Sequence, residues 1–211
     1  METGYKYRDA LRLLFILQHG SHLLDVMDAS GATRVFEGEK RLHAINFWVR
    51  NPDYLAEALL DQYDQTAEPD LLDEVKAIFD NEEPSVRLVK MLRWKRGAFE
   101  NIEDALAVLS SRRLIHTAKV PISNGKFQHN FYVYPTAETF LREAIEDQPT
   151  LVWYRERVAL TMRVAGDGSG YALKAEQYLN PEYKDTTLGA FIPSIQERVR
   201  KRLVEYLEVV A

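Results

Sequence analysis

The sequence predicts a mainly α-helical fold that contains one β-hairpin. Apolar residues recur at helical spacing over most of the chain. Beyond Arg113 the apolar period changes to two, and Asn124-Gly125 lies at the centre of this stretch. Asn-Gly is a strong hairpin signal because both residues tolerate the positive φ of a type I′ turn.

The helices can be placed one by one from periodicity, caps and breakers. Pro52 opens a helix with Asn51 as its cap, Gly97 ends another, and Asn101 can cap the next through its side-chain oxygen. Residues 20–37 give no readable pattern. The predicted helices cover residues 5–18, 39–50, 52–63, 69–80, 85–96, 101–113, 136–145, 151–164 and about 193 onward.

A two-residue loop at Asn124-Gly125 fixes the register of the hairpin. It places Val120 opposite His129 and Ala118 opposite Phe131. One face then collects most of the apolar side chains together with His116 and His129; the apolar members are Ala118, Val120, Ile122, Phe127, Phe131 and Val133.

Bulk composition limits the class of protein. The chain has 211 residues and no cysteine, which excludes disulfides and cysteine metal sites. No apolar run approaches the roughly 20 residues that span a bilayer, and the N-terminus has no signal-peptide core. We expect a cytoplasmic protein.

The net charge of −5 hides an uneven distribution. Residues 84–134 hold nine Lys/Arg against three acids, whereas residues 52–83 hold eleven acids and one lysine. Such a separation can direct one face toward a polyanion. The alternative is that the acidic and basic segments neutralise each other in the fold.

A helix followed by a short Gly-containing turn, a second helix and a hairpin resembles a winged helix-turn-helix domain. The resemblance covers about residues 70–145 and implies a winged helix-turn-helix core with additional N- and C-terminal helices. It divides the chain into an N-terminal helical region, 1–68, a winged-helix domain, 69–146, and a C-terminal helical extension, 147–211.

In this family the second helix enters the major groove of DNA and the wing contacts the backbone or minor groove. The resemblance therefore implies a groove-facing helix at 101–113 and a wing tip at 123–128. The implied DNA-binding residues are Arg93, Lys95, Arg96, Ser110, Arg112, Arg113, Lys119 and Lys126. Most of these would contact phosphates, which supply affinity without sequence information.

The start of the groove-facing helix differs from that of a helix that reads DNA bases, because it carries the acids Glu100, Glu103 and Asp104.

Weakly sequence-specific duplex binding by a non-catalytic regulator or adaptor is our first hypothesis. The second is an accessory protein-binding subunit of a larger complex, similar to the winged-helix subunits of SMC-type ATPase assemblies.

The last helix carries a narrow apolar seam of the kind that pairs with a partner helix. We expect a protein partner or a homodimer to use it, with packing onto its own domain as the alternative. The seam residues are Ile195, Val199, Leu203 and Tyr206.

Motifs for catalysis are missing from the sequence: there is no GK[ST] phosphate loop, HExxH or serine elbow. We predict no catalytic residue, cofactor or metal. The GDGSG loop at 166–170 is interpreted as a connector, and the pair His19 and His22 as structural. A hydrolase using His116 and His129 is a weaker alternative.

Overall fold

The computed structural model describes residues 3–81, 83, 92–94 and 97–210. Its α-helices are α1 (Thr3–Gly20), α2 (Glu39–Arg50), α3 (Pro52–Thr66), α4 (Asp70–Asp80), α5 (Glu103–Ser111), α6 (Pro135–Asp147), α7 (Val152–Ala165), α8 (Gly170–Gln177), α9 (Pro181–Lys184) and α10 (Gln196–Val210). Its strands are β1 (His22–Leu23), β2 (Arg34–Glu37), β3 (Leu92–Trp94), β4 (Gly97–Phe99), β5 (Ile115–Pro121) and β6 (Phe127–Val133). The predicted class, mainly α with a β-hairpin, is confirmed.

α1 runs through the centre of the molecule. Its residues 13–17 have no solvent-exposed surface, as its wide apolar face suggested. It contacts α5 and α7, and β2 packs beside it. Within the described ranges, every helix is too short or too polar to span a lipid bilayer.

The main sheet has four antiparallel strands in the order β1-β2-β6-β5. β2 lies in the stretch that the sequence left unread, and Phe36 pairs with Phe131. The hairpin β5-β6 is therefore held along its β6 edge by a strand that comes from the first fifth of the chain.

The predicted hairpin register is wrong by one residue. His129 pairs with Lys119, and Val120 pairs with Gln128. The loop has three residues, Ser123–Gly125, with Gly125 at φ 67, because Asn-Gly also suits a type I turn that ends in a left-handed residue.

This shift separates the predicted apolar face into two. Phe131 and Val133 join Ile115 on the buried side, while Val120 and Ile122 lie on the opposite side. The distal end of the hairpin extends past the core, so Ile122 and Phe127 are 43% and 57% exposed.

The predicted helix over residues 85–96 falls largely outside the described residues, and its C-terminal end is wrong. Leu92–Trp94 is a strand that pairs with Gly97–Phe99. Its other edge is also occupied, because the Arg93 N–H donates to the carbonyl of Ala190 at 2.8 Å. Tertiary strand pairing has overridden the local helical pattern, so a strand pair precedes α5 where a helix and a Gly turn were predicted.

One continuous core unites the three predicted regions. Buried apolar side chains from α1 to α10 form a single cluster. α10 packs on α3 and α4, and β2 completes the sheet of the hairpin.

Candidate nucleic-acid interface

Four basic residues are exposed where α5 ends and along the hairpin: Arg112, Arg113, Lys119 and Lys126. Arg112 and Arg113 follow α5, Lys119 lies in β5, and Lys126 follows the hairpin loop. Each hairpin strand has seven residues. At about 3.4 Å per residue such a strand is about 24 Å long, so the four cations extend from the end of the helix to the tip of the hairpin.

Arg113 has a backbone conformation that usually belongs to glycine. Its φ is 53°, in the left-handed region. Leu114 N–H donates to the carbonyl of Leu109 and Arg113 N–H to that of Ser110, each at 3.0 Å. This is a Schellman ending of α5, and a glycine at position 113 would remove the steric cost of the Cβ.

None of these four cations has an ion-pair partner among the described residues. Lys119 lies over the ring of Phe127 at 4.5 Å from its centroid, which leaves its charge uncompensated by an acid. The exposed acids Glu103 and Asp104 occupy the opposite end of α5.

Within the described residues, six acids of the segment 52–83 form ion pairs with other elements. Their partners are arginines of α7 and α10, not the basic residues of the α5–hairpin region. The pairs are Glu57 with Arg198 and Arg202, Asp61 and Asp64 with Arg202, Glu68 and Asp70 with Arg163, and Glu83 with Arg157. Among the described residues, no acid of this segment is ion-paired with a basic residue of the α5–hairpin region.

The remaining predicted DNA-binding residues are placed differently. Arg93 is 9% exposed, with its guanidinium 4.8 Å from the ring centroid of Tyr178 and 5.7 Å from that of Tyr183. It cannot reach a phosphate from there, because the strand β3 turns it inward. Lys95 and Arg96 lie outside the described residues.

The exposed face of α5 is short and weakly polar. Ser110 is exposed, and Ala107 and Ser111 share its side of the helix. Asn101 accepts a hydrogen bond from the Glu103 N–H at 3.0 Å through Oδ1, but α5 begins at Glu103 with Ile102 as its cap, one residue later than the predicted cap. This face offers few groups for reading base edges.

Glu100 does not belong to this surface. Its Oε1 lies 2.7 Å from Arg12 Nη2 and 2.8 Å from Arg50 Nη1, and its Oε2 accepts from Asn46. Burial alone would raise the pKa of Glu100, but the two arginines and the Asn46 hydrogen bond together lower it. One of the three acids that argued against DNA is thus neutralised internally.

The predicted partner-binding seam of α10 is occupied within the chain. Ile195, Val199 and Leu203 are buried, and Tyr206 stacks edge-on against Tyr63 of α3. The prediction that these residues hold a partner helix is wrong, because α3 and α4 already cover them.

The two histidines of the hydrolase alternative lie on opposite faces of the hairpin. His116 stacks on Tyr132 with ring centroids 4.7 Å apart, and its Nδ1 is 3.2 Å from Ser30 Oγ. His129 is instead 3.3 Å from Glu39. His116 and His129 therefore do not converge.

A cleft of about 870 Å³ separates the hairpin tip from the GDGSG loop. His19, His22 and His129 contribute to its wall, together with acids and bases of similar number. Arg41 holds the loop by donating to the carbonyls of Gly166 and Gly168. No group of three His, Cys, Asp or Glu in the described part of the chain is placed to hold a metal.

Sequence reasoning missed α8, which begins directly after this loop. Ser169 caps it by accepting from the Ala172 N–H at 3.2 Å, and a serine before a helical run could have indicated this helix.

Comparisons of the chain with protein-family models, with curated proteins and with solved structures give no match.

Proposed function

We propose that this protein binds duplex DNA without catalysis, through four exposed cations that extend from the end of α5 to the hairpin tip: Arg112, Arg113, Lys119 and Lys126. One observation supports this proposal above the others: these cations are exposed and form no ion pair with any described residue, whereas six acids of the segment 52–83 pair with arginines of α7 and α10. Exposed unpaired cations can release the counterions of a phosphate backbone, which drives association.

The arrangement of elements supports a winged-helix mode of contact. α5 is followed at once by a hairpin whose distal half extends beyond the core. In this interpretation α5 faces a groove, and the hairpin tip with Lys126 lies against the backbone.

The exposed face of α5 favours phosphate contacts over base reading. Ser110 can donate to a phosphate oxygen, and Arg112 and Arg113 extend the charge beyond it. Glu103 and Asp104 oppose close approach at the other end of the helix. We therefore propose weak sequence preference.

Fluorescence anisotropy of a labelled duplex at several salt concentrations tests the proposal. Four phosphate contacts predict a slope of about −3.6 for log K against log salt, and each cation removed changes it by about 0.9. Arg113→Gly is an informative variant because it removes a positive charge and also removes the steric cost of a Cβ at the left-handed φ of position 113. Lys126→Glu tests whether the hairpin tip contacts the duplex.

Lys201→Glu is the matched control. Lys201 is exposed on α10, with 82% of its side chain accessible, so this variant makes the same change in charge elsewhere. Absence of duplex binding at low salt would overturn the proposal, as would equal weakening by Lys126→Glu and Lys201→Glu.

A second function, an accessory subunit that binds another protein, is favoured by one observation. The hairpin tip exposes the apolar side chains of Ile122 and Phe127 beside the cations. Phe127→Ser separates the two proposals. Loss of a copurifying ATPase subunit with unchanged duplex affinity supports the accessory-subunit function. Weaker duplex affinity with an unchanged copurifying ATPase subunit supports DNA binding.

A further inference from the structure

The distal end of the hairpin is a free two-stranded ribbon. β2 pairs with β6 as far as Asn130, and the Gly38 N–H donates to the carbonyl of His129 at 3.1 Å. Beyond that point no strand among the described residues lies along the outer edge of β6. The last row of the ladder, in which Pro121 pairs with Phe127, and the loop after it therefore project from the body of the molecule.

This last row carries an exposed apolar pair. Pro121 and Phe127 lie directly opposite each other in the antiparallel ladder, so their side chains are on the same face. Pro121 is exposed, and Phe127 has 57% of its surface exposed. A phenyl ring at the end of a projecting ribbon is available to a partner.

The edge of β5 is poorly suited to adding a strand from another protein. Pro121 has no N–H to donate to a neighbouring strand, and Lys119 lies two residues before it on the same edge. Proline and lysine are the residues that protect strand edges from pairing. The apolar tip therefore suits a partner that does not extend the sheet.

Positive charge surrounds the phenyl ring. Lys119 Nζ is 4.5 Å from the ring centroid of Phe127, and Lys126 directly precedes Phe127 in the chain. Neither lysine forms an ion pair with any residue that the structure describes. An apolar ring between two cations matches a partner that is apolar inside and negatively charged outside, as stacked base pairs between two phosphate backbones are.

The acids of this region lie farther from the tip. Glu37 pairs with Asn130, and Glu39 Oε2 is 3.3 Å from His129 Nδ1, so both acids are placed toward the base of the ribbon. The cleft of about 870 Å³ separates the tip from the GDGSG loop, so this loop does not cover it.

The free ribbon matches the minor groove of DNA in length. Two residues of β6 lie beyond His129, and at about 3.4 Å per residue they extend about 7 Å. The minor groove is about 7.5 Å deep, but at about 6 Å wide it must open to admit two strands. An apolar side chain that enters between two base pairs unstacks them and kinks the duplex toward the major groove, which opens the minor groove.

We propose that the hairpin tip enters the minor groove of duplex DNA and that the ring of Phe127, supported by Pro121, inserts between two base pairs and bends the duplex. Lys119 and Lys126 then contact phosphates beside the kink. This inference rests on the proposed duplex binding and adds a class of substrate: duplexes with a flexible pyrimidine–purine step such as TA, because such steps unstack at low cost. The preference arises from deformability and is therefore compatible with weak base reading by α5.

Two fluorescence measurements on a duplex of about 20 base pairs with a central TA step test this inference. One duplex carries an energy donor and an acceptor at its ends, and the other carries 2-aminopurine at the TA step. Saturating wild-type protein should increase energy transfer, as expected for a bend of about 20–90°. It should also raise the 2-aminopurine fluorescence, because an unstacked base is less quenched. A stiff A-tract in place of the TA step should reduce the bend.

Phe127→Ala should abolish both signals and leave the slope of log K against log salt unchanged, because no cation is removed. Phe127→Leu should keep both signals, since leucine is also an apolar wedge. Phe140→Ala is the matched control, because Phe140 lies on α6 and is 44% exposed, and it should behave as the wild type. A thermal melt verifies that each variant is folded.

Anisotropy on the same duplexes separates this inference from the proposed function. Duplex binding without either signal overturns the insertion and leaves duplex binding intact, whereas no binding at low salt overturns both. The insertion is also overturned if Phe127→Ala bends the duplex as the wild type does, or if Phe140→Ala loses the signals equally. A duplex that stays straight, together with loss of a copurifying protein in Phe127→Ala, would assign the tip to a protein partner instead.

Discussion

Glu100 joins α1 and α2 to the segment that leads into α5. Its carboxylate receives Arg12 from α1 and both Asn46 and Arg50 from α2. Removing one member of such a buried group leaves the others uncompensated, which costs more than the pair itself contributes. This residue therefore has a structural role, although the sequence placed it at the start of a DNA-facing helix.

Glu100→Gln should lower the free energy of unfolding at pH 7 by about 3–5 kcal/mol, because the buried guanidiniums of Arg12 and Arg50 then lose the carboxylate that both of them contact. The pKa of Glu100 is lowered in the folded protein from its usual value of 4.5. Its contribution is thus complete above that value and is lost as the pH falls through the folded pKa.

Urea denaturation between pH 3 and 7 measures this effect. The variant should show a flatter acid limb than the wild type. Glu103→Gln, three residues away and exposed, is the control and should change the stability little. Equal pH profiles for the wild type and Glu100→Gln would contradict the prediction.

At the scale of elements, Gly125 and Gly170 both disfavour replacement by a residue with a side chain, but for different reasons. Gly125 in the hairpin loop has φ 67 and open space around its position, so only the backbone disfavours a side chain. Gly170 begins α8, which packs against α2. A Cβ at position 170 would clash with the backbone nitrogen of Arg41. Here a neighbouring backbone, not φ, requires glycine.

Gly170→Ala should therefore destabilise the protein more than Gly125→Ala. The hairpin variant should cost about 1 kcal/mol for the strained φ, and the α8 variant about 1–3 kcal/mol because two helices must separate. Thermal unfolding of both variants measures the difference. A larger effect of Gly125→Ala would show that α8 moves away from α2 without cost.

The sequence predicted helices far better than it predicted strand pairing. The helix 39–50 was placed at its observed bounds, because caps and periodicity are local signals. The register of β5 against β6 depends on one extra loop residue, and β3 depends on Ala190, a partner remote in the chain. For the candidate site, charge alone selected both Arg112, which is exposed, and Arg93, whose burial depends on tyrosine neighbours that are remote in the chain.

At the scale of the whole molecule, charge and apolar surface of α10 are used internally. Arg198 and Arg202 pair with acids of α3, and Val199 is fully buried. Within the described residues, this arrangement uses no cation of the α5–hairpin region, and it removes the reason to expect a dimer through α10.

Leu203→Ala should lower the free energy of unfolding by about 2–5 kcal/mol, as for a core leucine. Leu203 is 6% exposed in the single chain. The midpoint of thermal unfolding should be independent of protein concentration in both the wild type and the variant. A midpoint that rises with concentration in the wild type but not in Leu203→Ala would indicate that α10 does form an interface between copies.

The pairing of β2 with β6 has a consequence for the growing chain on the ribosome. Phe36 leaves the ribosome long before its partner Phe131 is synthesised. During that interval the edge of β2 is unpaired, and α1 lacks the elements that later cover it. Folding of the nascent chain is therefore delayed until the hairpin emerges, and chaperones that bind exposed apolar segments would act on the region before it.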